Sequence, residues 1–194
     1  MMHVPRYARL ASAMLVVGLL AACAACAARG PARPIEPVDH VDIDRFMGDW
    51  YVIASIPTRM ERRAFNAVES YSAGRDGRID TVFRYRKDGF DGSLETMTPT
   101  GFVRHGTGNA VWGMQFVWPI KAEYIIAALA PDYSDTIVAR NKRDHVWIMA
   151  RTPTLPDARY RQLVEQVEAM GYDISLLQRV PQQWPEAAPR PAQP

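Results

Sequence analysis

The residue types that most often move protons or hold metals are sparse in this chain and poorly placed for either task. Once His3 is set aside in an N-terminal leader, His40, His105 and His145 remain. One falls on a proline-rich segment, one near a turn and one at the start of a strand. In the fold argued below, strand direction puts His105 and His145 at opposite ends, so they cannot share a metal or act as an acid–base pair. Each reads as a surface residue. Cys23 and Cys26 both lie near the N-terminus, which leaves the body of the chain without a thiol nucleophile or a disulfide. No GxSxG, HExxH or P-loop pattern occurs. The expectation is a protein that is not an enzyme, with no cofactor and no metal.

Cys23 is the residue set up for covalent modification. Arg6 and Arg9 precede an uncharged apolar run at 10–20 (LASAMLVVGLL), and small residues follow in AACAACAA. This is the layout of a secretory leader. The tetrapeptide Leu20-Ala21-Ala22-Cys23 resembles a bacterial lipobox, whose cysteine becomes the lipidated first residue of the mature chain; Cys26 fits less well. The resemblance implies a signal peptide over 1–22 and a membrane anchor on Cys23. With Ala24 next, it implies the periplasmic face of the outer membrane. Each buried methylene adds ~0.8 kcal/mol, so two or more acyl chains hold firmly. An uncleaved span over 10–28 is the competing reading, since 19 uncharged residues can just cross a bilayer.

The formal charge of +2 belongs to the leader, because removing Arg6 and Arg9 leaves 21 basic residues against 21 acidic ones. That neutral balance gives no reason to expect nucleic acid as a partner. Residues 23–40 carry prolines at 31, 34 and 37 and read as an extended tether, and 181–194 holds five prolines and reads as a disordered tail. The folded body is then 41–180.

Within the body, apolar residues alternate with a period of two, which is the mark of strands. Eight are read, over 49–57, 65–73, 78–86, 93–103, 109–118, 122–130, 135–141 and 145–152. Gly74 and Gly77, Asp88-Gly89, and Pro131-Asp132 punctuate them. After Pro153 and Pro156 the period changes. Tyr160, Leu163, Val164, Val167 and Met170 form a helical stripe over 156–170, and a last extended piece covers 173–179. The fold class is therefore all-β: an eight-stranded antiparallel up-and-down barrel with one C-terminal α-helix packed outside, a size that can hold one small ligand. A two-sheet sandwich fits less well, because every connection is short.

In such a barrel the first strand starts, and the last ends, at the same end, and the two are neighbours. Trp50 and Arg151 then meet at the floor, where a half-buried cation–π contact contributes ~1–2 kcal/mol. Gly48 lets the entering segment pass closely, and the Asp132-Tyr133 turn lies at that same end. Gly48-Asp49-Trp50-Tyr51, Asp132-Tyr133 and Arg151 in WIMART resemble the three sequence motifs of the lipocalins. The longer runs GDWYVIASIP, YSAGRDGRI and DHVWIMARTPTLP are similar to the bacterial outer-membrane branch of that family and its apolipoprotein D relatives. The resemblance covers about 44–181 and implies an internal cavity.

Strand parity turns Ala54, Ile56, Tyr71, Ile79, Thr81, Phe83, Tyr85, Trp112, Met114, Phe116, Trp147 and Met149 inward. Any one of them could be filler or cavity wall. Glu69 shares the Tyr71 face, and an inward carboxylate is costly without a partner. The open-end loops carry Arg59, Arg62, Arg63 and Lys121 among other cations. An apolar cup with a mildly positive rim suits a fatty acid or lysophospholipid whose head stays at the mouth. A homodimer is left open, as is a scaffold whose interior is simply filled.

Overall fold

The computed structural model describes residues 33–186. The expected signal peptide, Cys23, Cys26 and the far end of the tail lie outside the described residues. A short helix, α1 (Ile43–Phe46), precedes β1 (Gly48–Ile56), β2 (Ala64–Ala73), β3 (Arg78–Lys87), β4 (Leu94–Met97) and β5 (Thr100–Val103). Next come β6 (Val111–Val117), β7 (Ile120–Leu129), β8 (Asp135–Ala139), β9 (Val146–Ala150), α2 (Asp157–Ala169) and β10 (Gln178–Arg179). All the pairings are antiparallel, and β9 returns to β1 to close the ring.

The fourth strand of this eight-stranded barrel is broken into β4 and β5, which both pair with β3. The break falls at Pro99, which has no N–H for the ladder but still accepts from Thr81 N through its carbonyl. On β3 the alternation is clean: Ile79, Thr81, Phe83 and Tyr85 are buried, while Asp80 and Val82 are exposed. Outside, Leu163 and Val167 of α2 are fully buried against Ile53, Ile137 and Ile148. A bidentate ion pair, Arg159 to Asp135 at 2.8 Å through each nitrogen, holds the first turn of that helix.

Strand β1 departs from simple parity. Its pairing with β9 slips by one residue between Val52 and Ala54, a β-bulge. Beyond a bulge every side chain changes face. Ala54 and Ile56, expected to line the interior, therefore lie in the cluster beneath α2, and Ser55 turns inward in their place.

Both ends of the body extend further than expected. The proline-rich segment read as a free tether is docked from Ile35 onward. Ile35 N donates to Asn141 Oδ1 at 2.8 Å, Val38 N to Ile126 O at 3.0 Å and Val41 N to Gly108 O at 2.7 Å. It passes so close to the β5–β6 turn that a Cβ on Gly108 would sit 1.9 Å from Asp39 O.

The tail is likewise held as far as Glu186, against the expectation of disorder from 181. β1 pairs with β2 only over residues 48–51, and the tail fills the gap above. Val180 N donates to Ile53 O and Asn66 N to Pro181 O, while Gln182 Nε2 bridges Val52 O and Ala67 O. Proline content did not prevent this, because the segment satisfies barrel backbone groups through its carbonyls and glutamine side chains. Asn66 is the keystone. Its side chain donates to Gln183 O at 3.0 Å and accepts from Gln183 N at 2.7 Å, and its φ is 48°. Asn66→Ala is expected to cost ~2–3 kcal/mol, from two lost bonds and the left-handed backbone, read by chemical denaturation with earlier proteolysis of the tail.

Candidate functional site

The barrel has a sealed end and an open one. At the sealed end the Arg151 guanidinium lies 3.9 Å from the Trp50 ring centroid. It also donates to three carbonyls: Asp49 at 2.9 Å, Arg45 at 2.7 Å and Phe46 at 3.1 Å. The indole N–H of Trp50 donates to Phe46 O at 2.8 Å. Gly48 has φ 95°, and a Cβ there would sit 3.4 Å from the guanidinium. Asp132 caps its own turn by accepting from Ser134 N, and Ser134 O accepts from Arg151 N. The Tyr133 hydroxyl accepts from Asp42 N while its ring carries the Arg45 guanidinium at 4.0 Å. Gly48, Trp50, Asp132, Tyr133 and Arg151 therefore meet at one end, as the motif spacing predicted.

Above this floor the lower half of the interior is filled. Phe46 packs on Trp50, Tyr71 and Trp112 with centroids 4.9, 5.5 and 5.4 Å apart, and Trp112 stacks on Tyr124 at 5.1 Å. Tyr71, Trp112 and Met149, expected to line a cavity, belong to this filled core. α1 is the reason, since it delivers Phe46 into the barrel from below.

The upper half holds a cup of about 570 Å³, counting the part open to solvent. Of the expected lining residues, Phe83, Met114, Phe116 and Trp147 surround it. Tyr85 packs on Phe83 near the rim and donates to Met60 O at 3.2 Å. At the mouth, Arg59 and Arg62 are exposed and Arg63 pairs with Asp88 at 2.5 Å. Lys121 is not at the mouth. It lies on the outer wall, with its ammonium 3.4 Å from the Phe102 ring centroid.

Parity reasoning missed much of the wall. Thr58 and Glu61 come from the β1–β2 loop, Arg140 from just past β8, and Glu123 and Tyr124 from β7; Glu69 of β2 is the inward carboxylate that parity did flag. Glu69, which sits opposite Trp50 in register, is half-buried on the cup wall. Burial, with a smaller push from the Glu61 charge, raises its carboxyl to about 7, although a hydrogen bond from Tyr71 opposes the shift. Burial also raises Glu61, against hydrogen bonds from Thr58 N and Trp147 Nε1. The Tyr71 and Tyr124 hydroxyls meet at 2.5 Å, and burial followed by the Glu69 charge pushes both well above the ordinary tyrosine range. The chemistry on offer is apolar contact and hydrogen bonding around carboxylates.

A family described as the Lipocalin-like domain matches residues 41–182. The chain belongs to the lipocalin family. Its relatives include temperature-induced lipocalin-1 of Arabidopsis thaliana, 28% identical over 73% of this chain and 80% of that protein. The outer membrane lipoprotein Blc of Citrobacter freundii is 29% identical over 70% and 76%, and bovine apolipoprotein D is 29% identical over 59% and 63%. Among solved structures, insecticyanin of the tobacco hornworm superposes with a TM-score of 0.63 at 15% identity, covering 81% of this lipocalin and 89% of that chain. That last likeness speaks for the barrel alone.

Two substitutions probe the two ends of the barrel. Arg151→Ala removes the stacked cation and three donors, and should lower unfolding free energy by ~2–3 kcal/mol without changing ligand preference. Glu69→Gln should act through pH. A carboxyl held at about 7 in the fold and near 4.5 when unfolded stabilises fully below about 4.5, and that contribution is lost as pH rises to about 7. The span corresponds to ~3 kcal/mol. In urea titrations from pH 4 to 8 the wild-type decline should be visibly shallower in the glutamine variant.

Proposed function

We propose that this lipocalin is a lipid-anchored protein of the cell envelope. It takes single-chain amphipathic lipids of the fatty acid or lysophospholipid kind into the cup, for storage or transport at the periplasmic face of the outer membrane. Membership of the family supports binding of lipids or other small hydrophobic molecules in general. The Blc relatives are outer membrane lipoproteins by name, and the lipobox-like Leu20-Ala21-Ala22-Cys23 matches that setting.

The observation that carries the reading is the pairing of a cup with an apolar lip. Six of the eight large apolar side chains exposed among the described residues belong to the open-end loops or their edges: Met60, Leu94, Phe116, Val117, Trp118 and Ile120. Trp118 is 82% exposed. A concentration of this kind marks an interaction surface, and with Arg59 and Arg62 beside it the surface suits an anionic lipid interface. The docked N-terminal segment supports the same orientation, because Ile35 meets Asn141 in the β8–β9 loop at the open end.

A filled-barrel scaffold is the second reading, favoured by the aromatic packing of the lower half. Mass spectrometry of what co-purifies with the native lipoprotein separates the two, since a binder should carry single-chain lipid in near-stoichiometric amount. Trp147→Ala should weaken displacement of a neutral fluorescent probe by such lipids about tenfold, the loss of part of one aromatic wall, with little change in stability. Absence of lipid, with Trp147 emission unmoved by added chains, would leave the scaffold.

A further inference from the structure

The wall of the cup carries more negative charge than an acyl chain needs. Glu61, Glu69 and Glu123 all face it, and Arg140 is the sole cation among its lining residues. All four have polar partners, but none of the three carboxylates is paired with the one cation. Glu123 accepts from Asn141 N at 2.7 Å and from Asn141 Nδ2 at 2.9 Å, and Arg140 is drawn to Asp144 at 3.4 Å through one terminal nitrogen, its buried Nε having no hydrogen-bond partner. Glu61, on the β1–β2 loop, accepts from Thr58 N at 3.0 Å and Trp147 Nε1 at 3.4 Å, neutral donors that leave its charge in place, and that charge is felt at Glu69 just above the floor. No cation contributes to the balance at Glu69, whose hydrogen-bonding neighbour is the Tyr71 hydroxyl. Burying a carboxylate without a counter-charge is expensive. The arginines of the rim do not supply one, because Arg59 and Arg62 stay exposed, where solvent screens them.

The apolar surface is arranged in the opposite sense. Below Glu69 the barrel is packed with aromatic rings, so a long chain has no room to run tail-down past it. The uncovered apolar surface lies higher, from Phe116, half exposed on the cup wall, out to Val117, Trp118 and Ile120. A polar base beneath an apolar lip fits an amphiphile that enters head first and lays its chain along the lip.

We propose that this cup selects single-chain lipids bearing an ammonium head, seated between Glu61 and Glu69 with the chain leaving past Phe116. The inference rests on the cup being the lipid site and adds the head-group class and the orientation. A cation placed there replaces the missing counter-charge with charge-assisted hydrogen bonds, which a carboxylate head cannot do. A carboxylate would add a like charge to the pair.

The test uses three twelve-carbon probes that differ only at the head: dodecylamine, dodecanoate and dodecanol. Each displaces a neutral naphthylamine dye from the purified protein at pH 7.5 and from its Glu69→Gln and Glu61→Gln variants. Dodecylamine should compete at a concentration at least about tenfold below dodecanoate, and Glu69→Gln should shrink that ratio to about threefold or less, weakening the amine more than dodecanol. Glu61→Gln, on the β1–β2 loop, gives a second reading should the first variant fold poorly. If dodecanoate matches or beats the amine, or both variants keep the wild-type ratio, the head-group assignment is overturned while lipid binding stands. If none of the three displaces the dye, the cup is not the lipid site and both readings fall together.

Discussion

Everything above the floor depends on one guanidinium. Arg151 lies flat on Trp50 and ties three carbonyls from α1 and the start of β1 to the end of β9. A barrel needs its first and last strands joined, and this contact joins them where the ladder runs out. It also holds α1 across the opening, which seats Phe46 among Trp50, Tyr71 and Trp112. With that end plugged by rings, hollow space can exist only at the other end. The cup is the consequence of the plug.

The wall is less regular than an ideal barrel. Four of the ladders slip by one residue: β1–β9, β2–β3, β6–β7 and β7–β8. Each slip re-aims side chains beyond it, and the one in β1 moves Ala54 and Ile56 from the interior to the helix side. The shortened β1–β2 ladder leaves backbone groups unpaired, and residues 180–183 satisfy them. Unpaired buried backbone is costly enough to order even a proline-rich segment.

Inside the cup, burial and charge act against each other. Glu69 is retained where an apolar residue would pack more cheaply, with its carboxyl raised to about 7 and two protonated tyrosines beneath it. A stability optimum would not favour this arrangement. Groups of this kind, shifted by desolvation inside a cavity, are characteristic of sites that meet a ligand.

The sequence by itself was enough for the architecture. Alternation, turn residues and the change of period after Pro156 are local properties of the pleat and the helix, so strand number, strand order and the outer helix could all be read from it. The floor was equally legible, because strand direction alone decides that Trp50, Asp132 and Arg151 share an end. Tertiary structure decided the rest. A bulge is a mismatch between two strands and leaves no mark in either one, so the inward set of β1 beyond Val52 could not be read from its alternation. The docking of 35–41 and 180–186 depends on gaps that exist only once the barrel has formed. Whether Trp112 and Tyr71 fill space or line it depends on Phe46, which reaches them from a helix four residues long. Glu69 was visible as an inward carboxylate beside Tyr71, but Glu61 and Tyr124 reach it from separate parts of the chain that only the closed barrel brings together.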